Sequence, residues 1–126
     1  MKKKLIFFVD DDNIMLNAME YVFKSRPDCE VLSFQKGEEC LKNIHLNPDI
    51  VILDYHLGKD ENSLNGLEVL RKIKEINKEI DVIMLTIEKN PQIIDSLYRE
   101  GISKYIVKDS YFISTLGEIL DNYQAQ

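Results

Sequence analysis

The sequence predicts an α/β fold: a doubly wound, five-stranded parallel sheet with helices on both faces, a three-layer α/β/α sandwich. Three observations carry that prediction. Ile6-Phe7-Phe8-Val9, Ile50-Val51-Ile52-Leu53, Val82-Ile83-Met84-Leu85 and Tyr105-Ile106-Val107 are short, nearly continuous apolar runs, the composition of strands buried on both faces. Segments with helical spacing separate them, and right-handed crossovers between parallel strands place such helices in two outer layers. Each run is followed at once by polar residues: Asp10-Asp11-Asp12, Asp54, Thr86 and Lys108. In a parallel sheet those C-terminal ends share one edge, where open α/β sheets bind ligands.

Taken in order, Lys4 to Val9 reads as the first strand. Asn13 to Lys24 is a helix with Met15, Met19, Val22 and Phe23 at helical spacing, closed by Ser25-Arg26-Pro27-Asp28. Glu30 to Phe34 alternates only in part, which suits a strand near a sheet edge. Gly37 to His45 can form a short helix through Leu41 and Ile44, and Asn47-Pro48-Asp49 leads into the third strand. After Asp54 comes a long polar segment, Tyr55 to Asn65, holding Gly58 and the cluster Lys59, Asp60, Glu61. Gly66 opens a helix carrying Leu67, Leu70, Ile73 and Ile76. Pro91 stands in the first turn of the next helix, where its missing N–H costs little; that helix buries Ile94 and Leu97 and ends at Gly101. The last helix, Ser110 to Tyr123, places Ile113, Leu116, Ile119, Leu120 and Tyr123 on one side. No linker or repeat interrupts the pattern, so residues 1–126 read as a single domain.

At 126 residues the chain is long enough to bury a core without staples, and 44% hydrophobic with 30% charged residues is ordinary globular composition. The formal net charge of −6 argues against direct nucleic-acid binding, which rewards clustered Lys and Arg. Leu5 to Val9, after the basic start Met1 to Lys4, is too short for the core of a signal peptide. No stretch approaches the ~20 apolar residues of a membrane span. Cys29 and Cys40 lack zinc-ligand spacing and read as free, buried thiols in a reducing cytoplasm.

The residues gathered at the sheet edge have a chemistry of their own. Asp10, Asp11 and Asp54 repel one another unless a cation sits among them, and oxygen ligands of this kind suit Mg²⁺, or the similar Mn²⁺. Asp12 is expected to cap the first helix. Capping does not explain the second acidic strand end at Asp54. Phosphoryl transfer is catalysed mainly by positioning and by neutralising charge on the phosphoryl oxygens. A divalent ion, the Thr86 hydroxyl and the Lys108 ammonium could each take one such oxygen, while Asp54 acts as nucleophile and holds an aspartyl phosphate.

With these residues in this order, the whole chain resembles a response-regulator receiver domain of two-component signalling, of the stand-alone chemotaxis type. The acidic pair is Asp10-Asp11, the phosphoacceptor position Asp54, the hydroxyl position Thr86 and the lysine position Lys108; the switch aromatic, three residues before the lysine, is Tyr105. The resemblance implies a flavodoxin-like strand order 2-1-3-4-5 and no output domain in this chain. It implies a metal held by Asp10, Asp11, Asp54 and the backbone carbonyl of His56. It also implies a sensor histidine kinase or phosphotransfer protein as donor, and autodephosphorylation by the receiver itself. Thr86 and Tyr105 would form the switch. The output surface would be the fourth helix, fifth strand and fifth helix, with Ile93, Tyr98, Arg99, Tyr105, Tyr111 and Phe112. That surface would act on a protein partner, or on a second copy after phosphorylation.

This chain departs from the family pattern in three places. The Tyr55–Asn65 loop is longer by about four residues and lacks proline. Asp109 follows the lysine where receivers usually have a proline whose peptide bond is commonly cis; a non-proline cis bond costs ~3 kcal/mol. Ile87, after the hydroxyl, is bulkier than the usual small residue and could narrow access to the phosphoryl group. His56 and Glu88 occupy the variable positions that tune phosphoryl lifetime. Two other readings of the sequence stand beside this one. A degenerate receiver would act as a constitutive interaction module. A haloacid-dehalogenase-type phosphatase would use Asp10-x-Asp12, with Asp10 as nucleophile.

Overall fold

The computed structural model describes residues 3–124, with side chains through residue 122. Its strands are β1 (Lys4–Val9), β2 (Cys29–Phe34), β3 (Ile50–Asp54), β4 (Asp81–Thr86) and β5 (Lys104–Val107). Its helices are α1 (Asn13–Lys24), α2 (Gly37–Lys42), α3 (Gly66–Ile76), α4 (Pro91–Arg99) and α5 (Phe112–Gln124). The strands form one parallel sheet in the order β2-β1-β3-β4-β5, as expected.

Alternation along the strands divides the core in two, because successive side chains point to opposite faces. Ile6, Phe8, Ile50, Ile52, Ile83 and Leu85 face one side, where Leu16, Met19 and Phe23 of α1 and Leu116 and Leu120 of α5 cover them. Phe7, Val9, Val51, Leu53, Val82 and Met84 face the other, under Cys40 of α2, Val69, Leu70 and Ile73 of α3 and Leu97 of α4. Both cysteines are buried and free.

The differences from the sequence expectation are local. α2 stops at Lys42, and Ile44–Leu46 continues as a tight 3₁₀ turn. Asn43 causes the break: its side-chain amide donates to the Glu39 carbonyl and its backbone N–H to that of Cys40. Asn47 then ends the turn in the left-handed region, at φ 56°. Val22 and Ile76, placed on buried helix faces by periodicity, are exposed, while Leu16 and Val69 are buried. β5 is not buried on both faces: as an edge strand it leaves Lys104 exposed and Tyr105 and Val107 half-buried. Tyr123, assigned to the inner face of the last helix, has a side chain outside the described residues.

The loop from Tyr55 to Asn65 is pinched shut at its neck. Gly58 has φ +76°, and a Cβ there would lie 2.3 Å from the Leu64 carbonyl oxygen. At the loop's end Asn65 caps α3 through a reciprocal pair, accepting from the Glu68 N–H and donating its own N–H to the Glu68 carboxylate. Gly66 sits where a Cβ would meet the Asp54 and Tyr55 carbonyl oxygens at 2.6 and 2.7 Å, so α3 starts directly against the end of β3.

Candidate functional site

The register brings the polar strand ends together. Val9 pairs with Leu53, Asp54 with Leu85 and Thr86 with Val107, so Asp10, Asp54, Thr86 and Lys108 emerge side by side at one sheet edge. Asp10 and Thr86 have no exposed surface and Asp54 is 4% exposed. Buried polar groups of this kind need partners. The Asp10 Oδ1 accepts the Asp12 N–H at 3.0 Å, and its Oδ2 accepts the Lys108 ammonium at 2.8 Å. Asp54 Oδ1 accepts the His56 N–H at 3.1 Å and lies 3.4 Å from Lys108 Nζ. Lys108 thus stands between two buried carboxylates as their shared counterion.

Burial holds the Asp54 carboxyl above its ordinary range, and the nearby Asp10 charge adds to this; the Lys108 ammonium and the His56 N–H pull it back in part. For Lys108, burial acts to lower the pKa but is outweighed by its bond to Asp10 and the charges of Asp54 and Asp10, so it stays firmly protonated.

Asp11 is exposed at the mouth of the same cluster. Asp10, Asp11 and Asp54 each bring a carboxylate oxygen within 4.8 Å of the others. An all-oxygen donor set of this compactness fits a hard divalent ion such as Mg²⁺. Asp12 does not join them: its carboxylate accepts the N–H groups of Ile14 and Met15 and caps α1, as expected.

Thr86 ends β4. Its hydroxyl oxygen accepts the Glu88 N–H at 2.8 Å, and its carbonyl receives the Lys108 N–H at 2.9 Å, which ties the lysine loop to the hydroxyl position. No cis peptide bond occurs among the described residues, so the Lys108-Asp109 link is trans. Ile87 is 64% exposed. The His56 side chain is exposed, with its ring edge-on to Tyr55. Tyr105 is half-buried, 6.1 Å from the Tyr98 ring and steeply inclined to it.

Two features lay outside sequence reasoning. One is a cavity of about 300 Å³ beside Asp11, walled by Gln35–Glu38 and by residues 57–60, 63 and 64 of the long loop. The other is the set of bonds that Glu88 and Asn90 make beyond Thr86. Of these only the Asn90 bond has a signal in the chain, an Asn directly ahead of the helix-opening Pro91.

Residues 6–119 match the family model of the response regulator receiver domain. The chain is 27% identical to chemotaxis protein CheY1 of Helicobacter pylori over 107 residues, spanning 82% of this chain and 83% of that protein. It is 33% identical over 113 residues to a protein-glutamate methylesterase/protein-glutamine glutaminase of Thermotoga maritima, spanning 86% of this chain but 31% of that protein. The response regulator domain of Thermotoga maritima CheB superposes with a TM-score of 0.80 at 25% identity, over 98% of this chain and 96% of that one.

Proposed function

The chain belongs to the response regulator receiver family of two-component signalling, and from that premise we propose that it is a phosphorylation-driven switch with Asp54 as phosphoacceptor. The observation that carries the reading is the buried Asp54 carboxylate at the end of the central strand, flanked by a second carboxylate and a lysine ammonium.

A sensor histidine kinase or phosphotransfer protein presents a phosphohistidine. An Asp54 oxygen attacks phosphorus as the P–N bond breaks, leaving neutral imidazole once a proton returns to it. Asp10, Asp11, Asp54 and the His56 carbonyl would hold Mg²⁺ (or Mn²⁺), which when bound supplies charge neutralisation at the phosphoryl oxygens. Lys108, already beside Asp54, turns its ammonium to one phosphoryl oxygen. The Thr86 hydroxyl donates to another. Water later attacks the aspartyl phosphate and returns Asp54 to its carboxylate form. Both Asp10 oxygens already accept hydrogen bonds, which weighs against Asp10 as the nucleophile.

Displacement of Thr86 toward the phosphoryl group alters the space beside Tyr105, so phosphorylation acts as a ligand that favours one of two states. Moving such an equilibrium from mostly off to mostly on requires ~5 kcal/mol of differential stabilisation. The output face is α4-β5-α5, where Tyr98 and Tyr111 are 44% and 72% exposed, and its target is a protein. Among the described residues no helix is long and apolar enough to cross a membrane.

The test is intact mass after incubation with Mg²⁺ and acetyl phosphate, on wild type and on Asp54→Asn. One phosphoryl adduct that requires Mg²⁺ and disappears in the variant is expected. No adduct on wild type, with acetyl phosphate or with a kinase, would leave a constitutive interaction module; an adduct that survives Asp54→Asn would move the nucleophile to Asp10.

A further inference from the structure

The cavity beside Asp11 is walled on one side by the turn from β2 into α2 and on the other by the long loop. Both walls are fixed. Gly58 holds the loop at its neck against the Leu64 carbonyl, and the Asp60 carbonyl and carboxylate accept the Ser63 and Asn62 N–H groups at 3.0 and 3.2 Å. On the opposite rim the Gln35 side-chain amide donates to Asn13 at the start of α1. Leu57, 2% exposed, and the half-buried Leu64 give the cavity an apolar lining. Its charged lining is three carboxylates, Asp11, Glu38 and Asp60, with two lysines, Lys36 and Lys59. Glu38 stands apart from the others: its Oε1 is closed off from solvent yet accepts no hydrogen bond. A carboxylate oxygen can only accept, so an orphan of this kind calls for a donor, and a charged donor satisfies it best.

We propose that this cavity receives an arginine side chain of the protein that phosphorylates Asp54. The identity of that protein rests on the proposed phosphorylation; the chemistry of the occupant does not. At about 300 Å³ the space is at the lower end of the ~300–1,000 Å³ of small-ligand sites, so it admits one long side chain. The aliphatic stem lies along Leu57 and Leu64, and the guanidinium reaches the Glu38 carboxylate. Arginine suits the site better than lysine because its planar fork of N–H donors can give two to one carboxylate and keep others for the loop wall. The position of the cavity points to a protein as the source. Asp11 lines it and also brings a carboxylate oxygen within 4.8 Å of one of Asp54. A donor protein that reaches Asp54 therefore passes over the opening, and the net charge of −6 favours a basic surface on that protein. The Tyr55–Asn65 loop, longer than the family pattern, builds one wall, so the contact selects a donor for this chain in particular.

The experiment titrates the full isotope-labelled chain with N-acetyl-L-arginine amide and reads backbone amide shifts by NMR. The corresponding citrulline and glutamate amides and free arginine serve as comparison probes. Shifts at Gly37, Glu38 and Gly58 are expected with a Kd on the order of 1 mM, which is what one side chain can supply. Citrulline, the neutral isostere, should bind about tenfold more weakly, because the charge-assisted bonds are lost. Glu38→Gln should weaken arginine binding by about the same factor. The comparison of arginine with citrulline is made on wild type, so it holds even if the variant folds poorly. Equal binding of arginine and citrulline would overturn the proposal, and so would tighter binding of the glutamate amide or full arginine affinity in Glu38→Gln. Free arginine that binds far more tightly than the blocked residue would make the occupant a small molecule and overturn the protein source. Acetyl phosphate labelling of wild type runs in parallel. Labelling without arginine shifts would overturn the cavity proposal alone; arginine shifts without labelling would overturn the phosphorylation reading and, with it, the identity of the partner.

Discussion

Replacing Lys108 with Met removes the one ammonium shared by two buried carboxylates and keeps most of the apolar stem. At an effective dielectric constant of 20, the 2.8 Å and 3.4 Å separations correspond to attractions of about 6 and about 5 kcal/mol. The Asp10–Asp54 repulsion, with ligand oxygens within 4.8 Å, returns about 3.5 kcal/mol or more. Desolvation of the ammonium offsets most of the remainder, so the net cost is set by what is left behind: buried carboxylates without a partner, about 3 kcal/mol. For a domain of this size that lowers Tm by roughly 10 °C. The assay is urea and thermal unfolding by circular dichroism, in chelator and then in excess Mg²⁺. A divalent ion held by the same carboxylates would take over the role of counterion, so Mg²⁺ should stabilise Lys108→Met more than wild type and recover much of the loss. Two results would refute the reasoning. One is a variant as stable as wild type in chelator, meaning that Lys108 neutralises nothing; the other is an equal Mg²⁺ effect on both proteins, meaning that cation and lysine do not share the carboxylates.

Two glycines and the two buried thiols give further measurable outcomes. Gly66→Ala forces a Cβ against the Asp54 and Tyr55 carbonyls, so it should cost ~2–4 kcal/mol in urea unfolding and slow acetyl phosphate labelling by pushing α3 off the site. Gly58→Ala combines a positive φ with a contact to the Leu64 carbonyl; it should cost ~1–3 kcal/mol and raise protease sensitivity between residues 58 and 64 without unfolding the sheet. Burial pushes the Cys40 thiol up to about 12 and the Cys29 thiol also upward, so neither should react with a thiol reagent at pH 8 in the native state, and both should react in urea. The sign of the linkage for Cys40 is fixed by that upward shift from 9.0. Its contribution to stability is complete below the unfolded pKa and is lost as pH rises toward 12, so Cys40→Ala should show a shallower alkaline decline than wild type.

Much of the fold was legible in the chain because its signals are local. A period of two or a continuous apolar run marks a strand, and helical spacing marks the cover, so β1 and α1 fall where the pattern put them. The acidic, hydroxyl and lysine positions were legible as well, since each ends or directly follows a strand and parallel strands deliver their ends to one edge. Strand ends alone bring Asp10, Asp54, Thr86 and Lys108 together without fixing which of them touch. The ammonium-carboxylate contacts join residues 98 and 54 positions apart, and only the packed sheet sets those distances. Similarly, Val22 and Ile76 satisfied the helical period yet face solvent, because the width of a helix's buried stripe is decided by the neighbour it meets. Asn43 ends α2 early through a competing side-chain bond that composition does not weigh. The closure of the long loop at Gly58 and the hydrogen bonds from Thr86 through Glu88 to Asn90 are also three-dimensional facts. What the sequence determined alone was the set of elements and the chemistry waiting at their ends, because periodicity and strand termini are properties of neighbours in the chain. What tertiary structure decided was how that chemistry is charged and connected, because burial and hydrogen-bond distance are properties of neighbours in space.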